Sequence, residues 1–199
     1  MGKIYCIIGK SGTGKDTVLA ELLKDPSLPV EKLVPYTTRP QREGETEGVN
    51  YHYVTVDQLE DMELKGEVIE RRTYHTVHGD WNYFTASVNI DNSKNYIIIT
   101  TQEALDSFFK YFGNERIHVI YLYLDNKKRL TRCINRESEQ ETPNYSEVCR
   151  RYLADEEDFD EEVISSYKNR TFVDTAYPLE KYTDEIKSVI ITTGGNYDV

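Results

Sequence analysis

The sequence has few cysteines and no long apolar run, and each of these shortages excludes classes of protein. It has only three cysteines, Cys6, Cys133 and Cys149, and they lack a metal-type spacing, so we expect buried or inert thiols in a reducing compartment, the cytoplasm. No apolar run reaches the roughly 18 residues of a membrane span. The chain enters an apolar run at Ile4, so we expect no cleavable signal.

Basic residues are also in deficit. Lysine and arginine number 24 against 35 aspartates and glutamates, giving a formal net charge of −11. Nucleic-acid binding needs a basic face that neutralises phosphates, so we expect no such partner. A small phosphorylated ligand stays compatible, because a local arginine cluster can bind it on an acidic protein. The length of 199 residues fits a single core with small appended subdomains.

The strongest motif is a glycine-rich segment that follows the apolar run 4–8. It reads G-x4-G-K from Gly9 to Lys15 and precedes an apolar helical stripe. A strand, a glycine turn and a helix start form a phosphate-binding loop, in which main-chain N–H groups cradle phosphate oxygens. The ATP-binding residues that the motif predicts are Gly9, Ser11, Gly12, Thr13, Gly14, Lys15, Asp16 and Thr17. The alternative is a plain glycine turn with an incidental lysine.

One position departs from the usual loop. The residue after Lys15 is normally Ser or Thr, and here it is Asp16, followed by Thr17. A carboxylate is a hard ligand that suits Mg²⁺, so we predict that Asp16 contacts the Mg²⁺ that accompanies ATP, directly or through water. The alternative is that Asp16 is only a favourable residue in the first turn of a helix.

The remaining pattern alternates between strands and helices. Apolar runs predict strands at 4–8, 96–100 and 117–124, with a short one at 170–173, and helices at 16–24, 102–111, 127–136, 145–158 and 179–190. This alternation predicts an α/β fold, a P-loop NTPase-type parallel sheet with helices on both faces.

Two segments differ from that alternation. Residues 35–91 are rich in Thr, Tyr and charge, with alternating stretches at 51–56 and 68–74, and predict a small inserted acceptor-binding subdomain. Residues 132–159 carry arginines on a helix-turn-helix with its turn at 142–144 and predict a mobile helical lid. The core of this single domain then comprises about 1–34, 92–131 and 160–199. The acidic run 155–162 favours a solvated helix face over a metal site.

The segment 36–54 and the phosphate-binding loop together resemble the guanylate kinase family. Its signature T-T-R-x-P-R-x-G-E-x-x-G-x-x-Y-x-F-V is matched at nine positions, namely Thr37, Thr38, Arg39, Arg42, Gly44, Glu45, Gly48, Tyr51 and Val54. Pro40 follows Arg39 directly, and Gln41 restores the spacing. The resemblance extends more weakly from the loop to about residue 158.

That resemblance implies where an acceptor monophosphate binds. It assigns the phosphate to Arg39, Arg42, Tyr51 and Tyr83. Two arginines three apart can also converge on one phosphate by charge-assisted hydrogen bonds. The alternative is that both arginines pair with Glu43, Glu45 or Glu47 at the surface.

The resemblance is less complete at the base. It implies that Glu70 accepts hydrogen bonds from guanine N1 and N2, with Thr85 and Thr101 nearby. Pro35 stands where the family has a serine, Ile99 and Thr101 stand where it has aspartates, and Phe84 replaces a glycine. Guanine specificity therefore rests chiefly on Glu70.

The segment 127–139 resembles the family's R-L-x-x-R-x-x-E lid. Arg132 and Arg136 stand at i and i+4 on one helix face, and Arg151 resembles a third lid arginine, with Arg150 as the register alternative. Such charges, with Lys15, would stabilise a migrating phosphoryl group. The alternative is that the lid arginines neutralise Glu137, Glu139 and Glu156.

The combined expectation is a nucleoside monophosphate kinase of the guanylate kinase type, moving the γ-phosphoryl group of ATP to GMP or dGMP with Mg²⁺. Two rivals stay open. A related kinase could act on another monophosphate or on ribose 1,5-bisphosphate, whose kinases often carry G-K-D-S, similar to the loop here. A non-catalytic guanylate-kinase-like interaction module is the other. The oligomeric state is not predicted.

Overall fold

The computed structural model describes residues 1–76 and 79–195. In chain order, its elements are β1 (Ile4–Ile8), α1 (Lys15–Leu22), β2 (Glu31–Lys32), β3 (Tyr36–Thr37), β4 (His52–Tyr53), α2 (Val56–Leu64), β5 (Val68–Thr76), β6 (Gly79–Ala86), β7 (Tyr96–Ile99), α3 (Gln102–Phe112), β8 (Ile117–Tyr123), α4 (Asn126–Ser138), α5 (Tyr145–Asp158), α6 (Glu161–Ser166), β9 (Arg170–Asp174) and α7 (Leu179–Thr193).

The centre of the fold is a five-stranded sheet in the order β2-β7-β1-β8-β9. Every neighbouring pair in it is parallel. Strand β1 is fully buried and alternates its side chains between two cores, with Ile4, Cys6 and Ile8 on one face and Tyr5 and Ile7 on the other. Because both faces are covered, the strand reads as a continuous apolar run. The predicted α/β class is confirmed.

Helices cover both faces of this sheet. Helix α3 contributes Leu105 and Phe108 to the first core. Helices α1 and α7 contribute Val18 and Ile186 to the second. This arrangement places the loop between β1 and α1 at the carboxyl edge of the sheet, where ligands bind in open α/β sheets.

A second sheet lies in the segment 35–91, with the strand order β4-β3-β6-β5. Strands β5 and β6 form a long antiparallel hairpin, and Arg72 lies opposite Tyr83 in it. The sequence predicted β5, but we missed β6 and α2. Helix α2 begins with a capping box in which Thr55 and Gln58 bond each other's main-chain N–H, and the T-x-x-Q spacing was the signal that could have revealed it.

The segment 132–159 forms most of two packed helices, α4 and α5, and the predicted turn falls between them. Helix α5 ends at Asp158, and α6 starts after Asp160, which caps it. The acidic run is therefore split between two helices. Among the described residues, no group of three or more potential metal ligands occurs.

Two smaller outcomes concern cysteine and the membrane. Cys6 and Cys133 are buried, as expected, but Cys149 is exposed, because helix α5 turns that side outward. Within the described ranges, none of the helices combines the length and apolarity needed to cross a membrane.

Candidate nucleotide-binding site

The loop between β1 and α1 owes its path to glycine. Gly12 and Gly14 have φ of 83° and 91°, a region that other residues enter only with strain. A Cβ on Gly9 would lie 2.4 Å from the carbonyl oxygen of Leu122, and one on Gly12 would lie 2.8 Å from that of Arg129. The loop therefore passes too close to β8 and α4 for any other side chain.

Lys15 starts helix α1 and folds back over the loop. Its Nζ donates to the carbonyl oxygen of Gly9 at 2.5 Å and to that of Lys10 at 3.3 Å. Burial lowers the pKa of Lys15, while the carboxylates of Asp155 and Asp16 oppose the shift. Thr13 donates its hydroxyl to the carbonyl of Lys10 at 2.8 Å, so this side chain braces the loop from within.

A carboxylate of helix α5 reaches the loop. The main-chain N–H of Ser11 donates to Oδ2 of Asp155 at 2.7 Å, and Lys10 donates to Glu156 at 2.8 Å. The reading of the acidic run as only a solvated face is therefore wrong for its first two residues. A main-chain donor that suits a phosphate oxygen is here satisfied by a carboxylate.

Arg129 joins the loop to this carboxylate pair, and the sequence reasoning missed it. Its side chain is only 1 % exposed. It donates to the carbonyl of Ser11 at 3.1 Å and to Glu156 at 2.9 Å, and it lies over the ring of Tyr152. Arg129 opens the R-L pair of the lid motif, which was the available signal, but its acidic partners lie more than 25 positions along the chain.

The three lid arginines have different surroundings. Arg132 donates to the carbonyl of Gly12 at 3.4 Å and to that of Thr175 at 3.0 Å, so it contacts the loop. Arg136 and Arg151 line one small hollow beside Ser11. Arg151 bonds Glu147 at 2.7 Å, and the register alternative Arg150 bonds the same carboxylate. The suggested partner Glu156 is taken by Arg129 instead.

Arg39 is held by its own segment. Its guanidinium donates to both carboxylate oxygens of Glu45, at 2.7 and 2.5 Å, and to the hydroxyl of Tyr83 at 3.0 Å. Tyr51 lies against it, 5.0 Å from ring centroid to guanidinium carbon. For this residue the glutamate-pairing alternative holds, although the pair is largely buried and not at the surface. The hydrogen bonds from Arg39 lower the pKa of Glu45 to about 2.

Arg42 differs from Arg39, because its side chain is exposed. Its main-chain N–H donates to Glu45 at 2.8 Å, and its guanidinium lies 5.9 Å from the ring centroid of Trp81. Arg42, Tyr51 and Tyr83 line a cleft of about 930 Å³ that Lys15 also lines. We call Arg42, Tyr51 and Tyr83 the clamp. The phosphate-binding loop, through Lys15, and the clamp therefore line one cleft.

Glu70 is buried behind the lining of this cleft, with 6 % of its surface exposed, and it contacts the lining residue Arg72. It receives hydrogen bonds from Arg72, at 3.0 and 3.2 Å, and from the hydroxyl of Thr85 at 2.9 Å. Within the described part of the chain, Arg72 and Thr101 belong to the cleft lining, whereas Glu70 and Thr85 do not. The sequence reasoning missed Arg72.

A metal ion would find few ligands before a nucleotide arrives. Asp16 and Thr17 are exposed in the first turn of α1. A carboxylate and a hydroxyl fit Mg²⁺, which usually takes one or two protein ligands and completes its shell with substrate phosphates and water. The residues present therefore fit a cation that arrives with a triphosphate.

A second hollow of about 500 Å³ also borders the loop. Its lining includes Lys10, Thr13, Asn126, Arg129 and Asp174. The loop therefore borders both the cleft that Arg42, Tyr51 and Tyr83 line and a hollow that residues of α4 and β9 line.

The parallel sheet, the glycine loop at its carboxyl edge and the helix behind that loop define a P-loop NTPase-type α/β protein. The guanylate kinase family profile matches residues 1–182. The chain belongs to the guanylate kinase family.

Individual relatives agree with this assignment. The chain is similar to a guanylate kinase of Vibrio vulnificus, with 38% identity over 93 residues, which is 46% of this chain and 43% of that protein. This alignment spans less than half of either protein. A guanylate kinase of Mycoplasmoides gallisepticum is 27% identical over 96% of this chain and 92% of its own length. The crystal structure of guanylate kinase from Anaplasma phagocytophilum superposes with a TM-score of 0.63 at 21% identity, covering 98% of this chain and 88% of that one.

Proposed function

We propose that this chain is an ATP:GMP phosphotransferase that forms ADP and GDP from ATP and GMP or dGMP. The observation that carries the proposal is the shared cleft, which Lys15 lines together with Arg42, Tyr51 and Tyr83. A donor phosphate at the loop and an acceptor phosphate at the clamp would meet in one space. Positioning of this kind accounts for much of the catalysis of phosphoryl transfer.

On the donor side, the loop from Gly9 to Thr17 would hold the triphosphate with its main-chain N–H groups and the N-terminus of α1. The N–H of Ser11 donates to Asp155 at 2.7 Å, so that carboxylate must leave as a phosphate enters. Lys15 must likewise exchange the carbonyl of Gly9 for phosphate oxygens. The hollow of about 500 Å³ beside the loop has room for the donor's base.

Asp16, with Thr17 beside it, would hold Mg²⁺. When bound, the ion supplies positive charge to the phosphate oxygens. The chain's own residues perform the remaining tasks of binding, orienting and shielding the two phosphates.

On the acceptor side, Arg42 is the cation that we assign to the monophosphate, with the hydroxyls of Tyr51 and Tyr83 as further donors. We assign Arg39 an indirect role, because Glu45 neutralises its charge. Arg39 would position Tyr83 by donating a hydrogen bond to its hydroxyl. The acceptor oxygen would attack the γ-phosphoryl group in line. Lys15 and the lid arginines Arg132, Arg136 and Arg151 would stabilise the charge that spreads over the migrating group.

We further propose that the segments 35–91 and 132–159 act as acceptor-binding subdomain and lid on a core of 1–34, 92–131 and 160–199. Closure would bring the lid arginines over the phosphates and exclude water. The three free cysteines suit the reducing conditions of the cytoplasm, which we propose as its location.

The test is an ADP-release assay with ATP and Mg²⁺ on a panel of acceptors: GMP, dGMP, AMP, CMP, UMP and ribose 1,5-bisphosphate. We expect GMP and dGMP to have the highest kcat/KM. Turnover of ribose 1,5-bisphosphate alone would replace the acceptor. Failure to bind ATP with Mg²⁺ in a calorimeter would instead indicate a non-catalytic module.

A further inference from the structure

Arg72 lines the same cleft as Lys15 and Arg42. It stands on β5 opposite Tyr83 of β6, and its side chain is 17% exposed. Burying most of a cation's surface is costly unless the cation is paired. Its partner is Glu70, which holds the guanidinium in one orientation.

The pairing uses only one edge of the guanidinium. Nε donates to Oε2 of Glu70 at 3.0 Å, and Nη2 donates to Oε1 at 3.2 Å. On the other edge, Nη1 makes one long contact, 3.5 Å to the hydroxyl of Thr101, among the described residues. A guanidinium has five N–H groups in a rigid fork, so its Nη1–Nη2 edge can still donate two hydrogen bonds to one planar ligand.

Glu70 itself is poorly placed to bind a ligand. Its Oε1 also accepts the hydroxyl of Thr85 at 2.9 Å, and its side chain is only 3% exposed. Three donors already occupy this carboxylate. Its role here is to fix Arg72.

The lining of the cleft includes side chains that suit a flat, partly apolar ring. Pro35, Ile99 and Tyr74 line this cleft. The hydroxyl of Thr100, another lining residue, is buried without a hydrogen-bond partner in the described structure. Because Glu70 neutralises Arg72, the site favours a neutral acceptor of hydrogen bonds over a second phosphate.

We propose that Arg72 selects the acceptor by donating from its Nη1–Nη2 edge to the O6 and N7 atoms of a 6-oxopurine. This inference rests on the proposed function and names its substrate class. Arginine bound through two hydrogen bonds to O6 and N7 is the commonest specific contact to guanine. Since Glu70 already accepts hydrogen bonds from Arg72 and Thr85, it does not bind the 2-amino group of guanine. IMP, which lacks that group, should therefore be almost as good a substrate as GMP. Adenine presents a donor where O6 stands and should be rejected.

The experiment measures kcat/KM and equilibrium binding for GMP, IMP, AMP and 2-aminopurine riboside monophosphate, which lacks O6. For the wild type, we expect GMP and IMP to agree within about threefold. The other two should be weaker by about 10- to 100-fold, the discrimination of one bidentate contact. Arg72→Lys keeps the charge but loses the fork, and should shrink this gap to a few-fold by weakening GMP and IMP.

Two further variants test whether Glu70 contacts the base itself or only positions Arg72. Glu70→Gln should reduce the preference for 6-oxopurines while leaving the GMP-to-IMP ratio unchanged, because it only loosens Arg72. Arg71→Ala is the matched control, since Arg71 bonds Glu63 and Asn82 and should leave all four ratios unchanged. Thermal unfolding of each variant confirms that it is folded.

Three outcomes would overturn the inference. One is a GMP-over-IMP preference above 100-fold that Glu70→Gln abolishes, which would make Glu70 the reading group. Another is an unchanged preference for 6-oxopurines in folded Arg72→Lys. The third is turnover of GMP and AMP at equal rates. Absence of any nucleotide turnover, with ATP still bound, would instead overturn the proposed function and the inference with it.

Discussion

The two sides of the cleft are built in different ways. On the proposed donor side, the residues that we assign to the triphosphate follow one another from Gly9 to Thr17, and Gly9 and Gly12 lie where the backbone leaves no space for a Cβ. On the acceptor side, the side chains come from distant positions. Arg39 meets Tyr83 across 44 positions, and Arg72 meets Thr101 across 29.

This difference matters for specificity. A phosphate-binding loop is a local structure whose chemistry depends on main-chain N–H groups, so it is conveyed by a short motif. The acceptor site depends on the packing of side chains. Arg72 lines the cleft and pairs with the carboxylate of Glu70, which does not line it. Substitutions on the donor side should therefore affect every acceptor equally, whereas substitutions at the residues that contact the acceptor's base should change the ranking of acceptors.

The largest effect is expected for Lys15→Ala. Removing the cation at the donor phosphates should lower kcat by about 10³-fold for every acceptor, with the protein still folded. The ADP-release assay measures it. Lys24→Ala, which removes an exposed lysine paired to Glu21, is the control and should keep wild-type turnover. Full activity in Lys15→Ala would contradict the proposed mechanism.

Arg42→Ala should act on the acceptor side alone. Losing charge-assisted hydrogen bonds to the monophosphate should raise KM for GMP by about 10- to 100-fold, with a smaller change in kcat and none in ATP binding. Arg170→Ala serves as the control, because Arg170 lies on β9 and bonds the carbonyl of Tyr167. An unchanged KM would remove Arg42 from the clamp.

The pair of Arg39 and Glu45 makes an acid-stability prediction. The pKa of Glu45 is lowered from 4.5 to about 2, chiefly by hydrogen bonds from Arg39. A lowered folded-state pKa gives stability that is present above pH 4.5 and is lost as the pH falls towards 2. Glu45→Gln should therefore be less stable than the wild type at pH 7, by about 1–2 kcal/mol, and the gap should close in acid.

Urea unfolding at a series of pH values measures this gap. Glu43→Gln is a matched control at an exposed position of the same segment and should follow the wild type throughout. His118, whose pKa burial lowers to about 4, is present in all three proteins and cancels in the differences. A gap that is constant from pH 7 to 2 would show that the charge of Glu45 is not its source.

The smallest effect is expected for Asp16→Ala. Losing one carboxylate near the phosphates should raise the Mg²⁺ concentration for half-maximal turnover and for half-maximal ATP binding by several-fold. Asp57→Ala removes the corresponding first-turn aspartate of α2 and controls for the helix-start effect. An identical Mg²⁺ titration in Asp16→Ala would leave that aspartate with a structural role only.

Much of the donor side could be predicted because its signals are local. The spacing of Gly9 and Gly14 predicts the loop, and the lysine that follows Gly14 completes the motif. The contact between Asp155 and the N–H of Ser11 spans 144 positions, and the acidic run that carries it has the composition of an ordinary solvated helix face. Arg129 was missed for the same reason, because its role depends on carboxylates in another helix.

The acceptor side shows the opposite balance. The family resemblance assigned Arg42, Tyr51 and Tyr83 to one phosphate, and the three side chains line one cleft. The sequence could not decide between that role for Arg39 and its pairing with a nearby glutamate, which the structure shows to be Glu45. The sequence also gave no sign of a role for Arg72, although it predicted the strand β5 that carries this residue, because a strand pattern does not show which side chains line a cleft.

The sequence by itself determined the α/β class, the phosphate-binding loop and the family, since apolar runs, glycine positions and fixed spacings act over a few neighbouring residues. Only the tertiary structure decided three contacts. Asp155 accepts a hydrogen bond from the N–H of Ser11, Glu45 pairs with Arg39, and Arg72 pairs with Glu70 and lines the cleft in its place. Those contacts arise when the chain brings buried charges together, and each buried charge takes whichever opposite partner the packing places within reach.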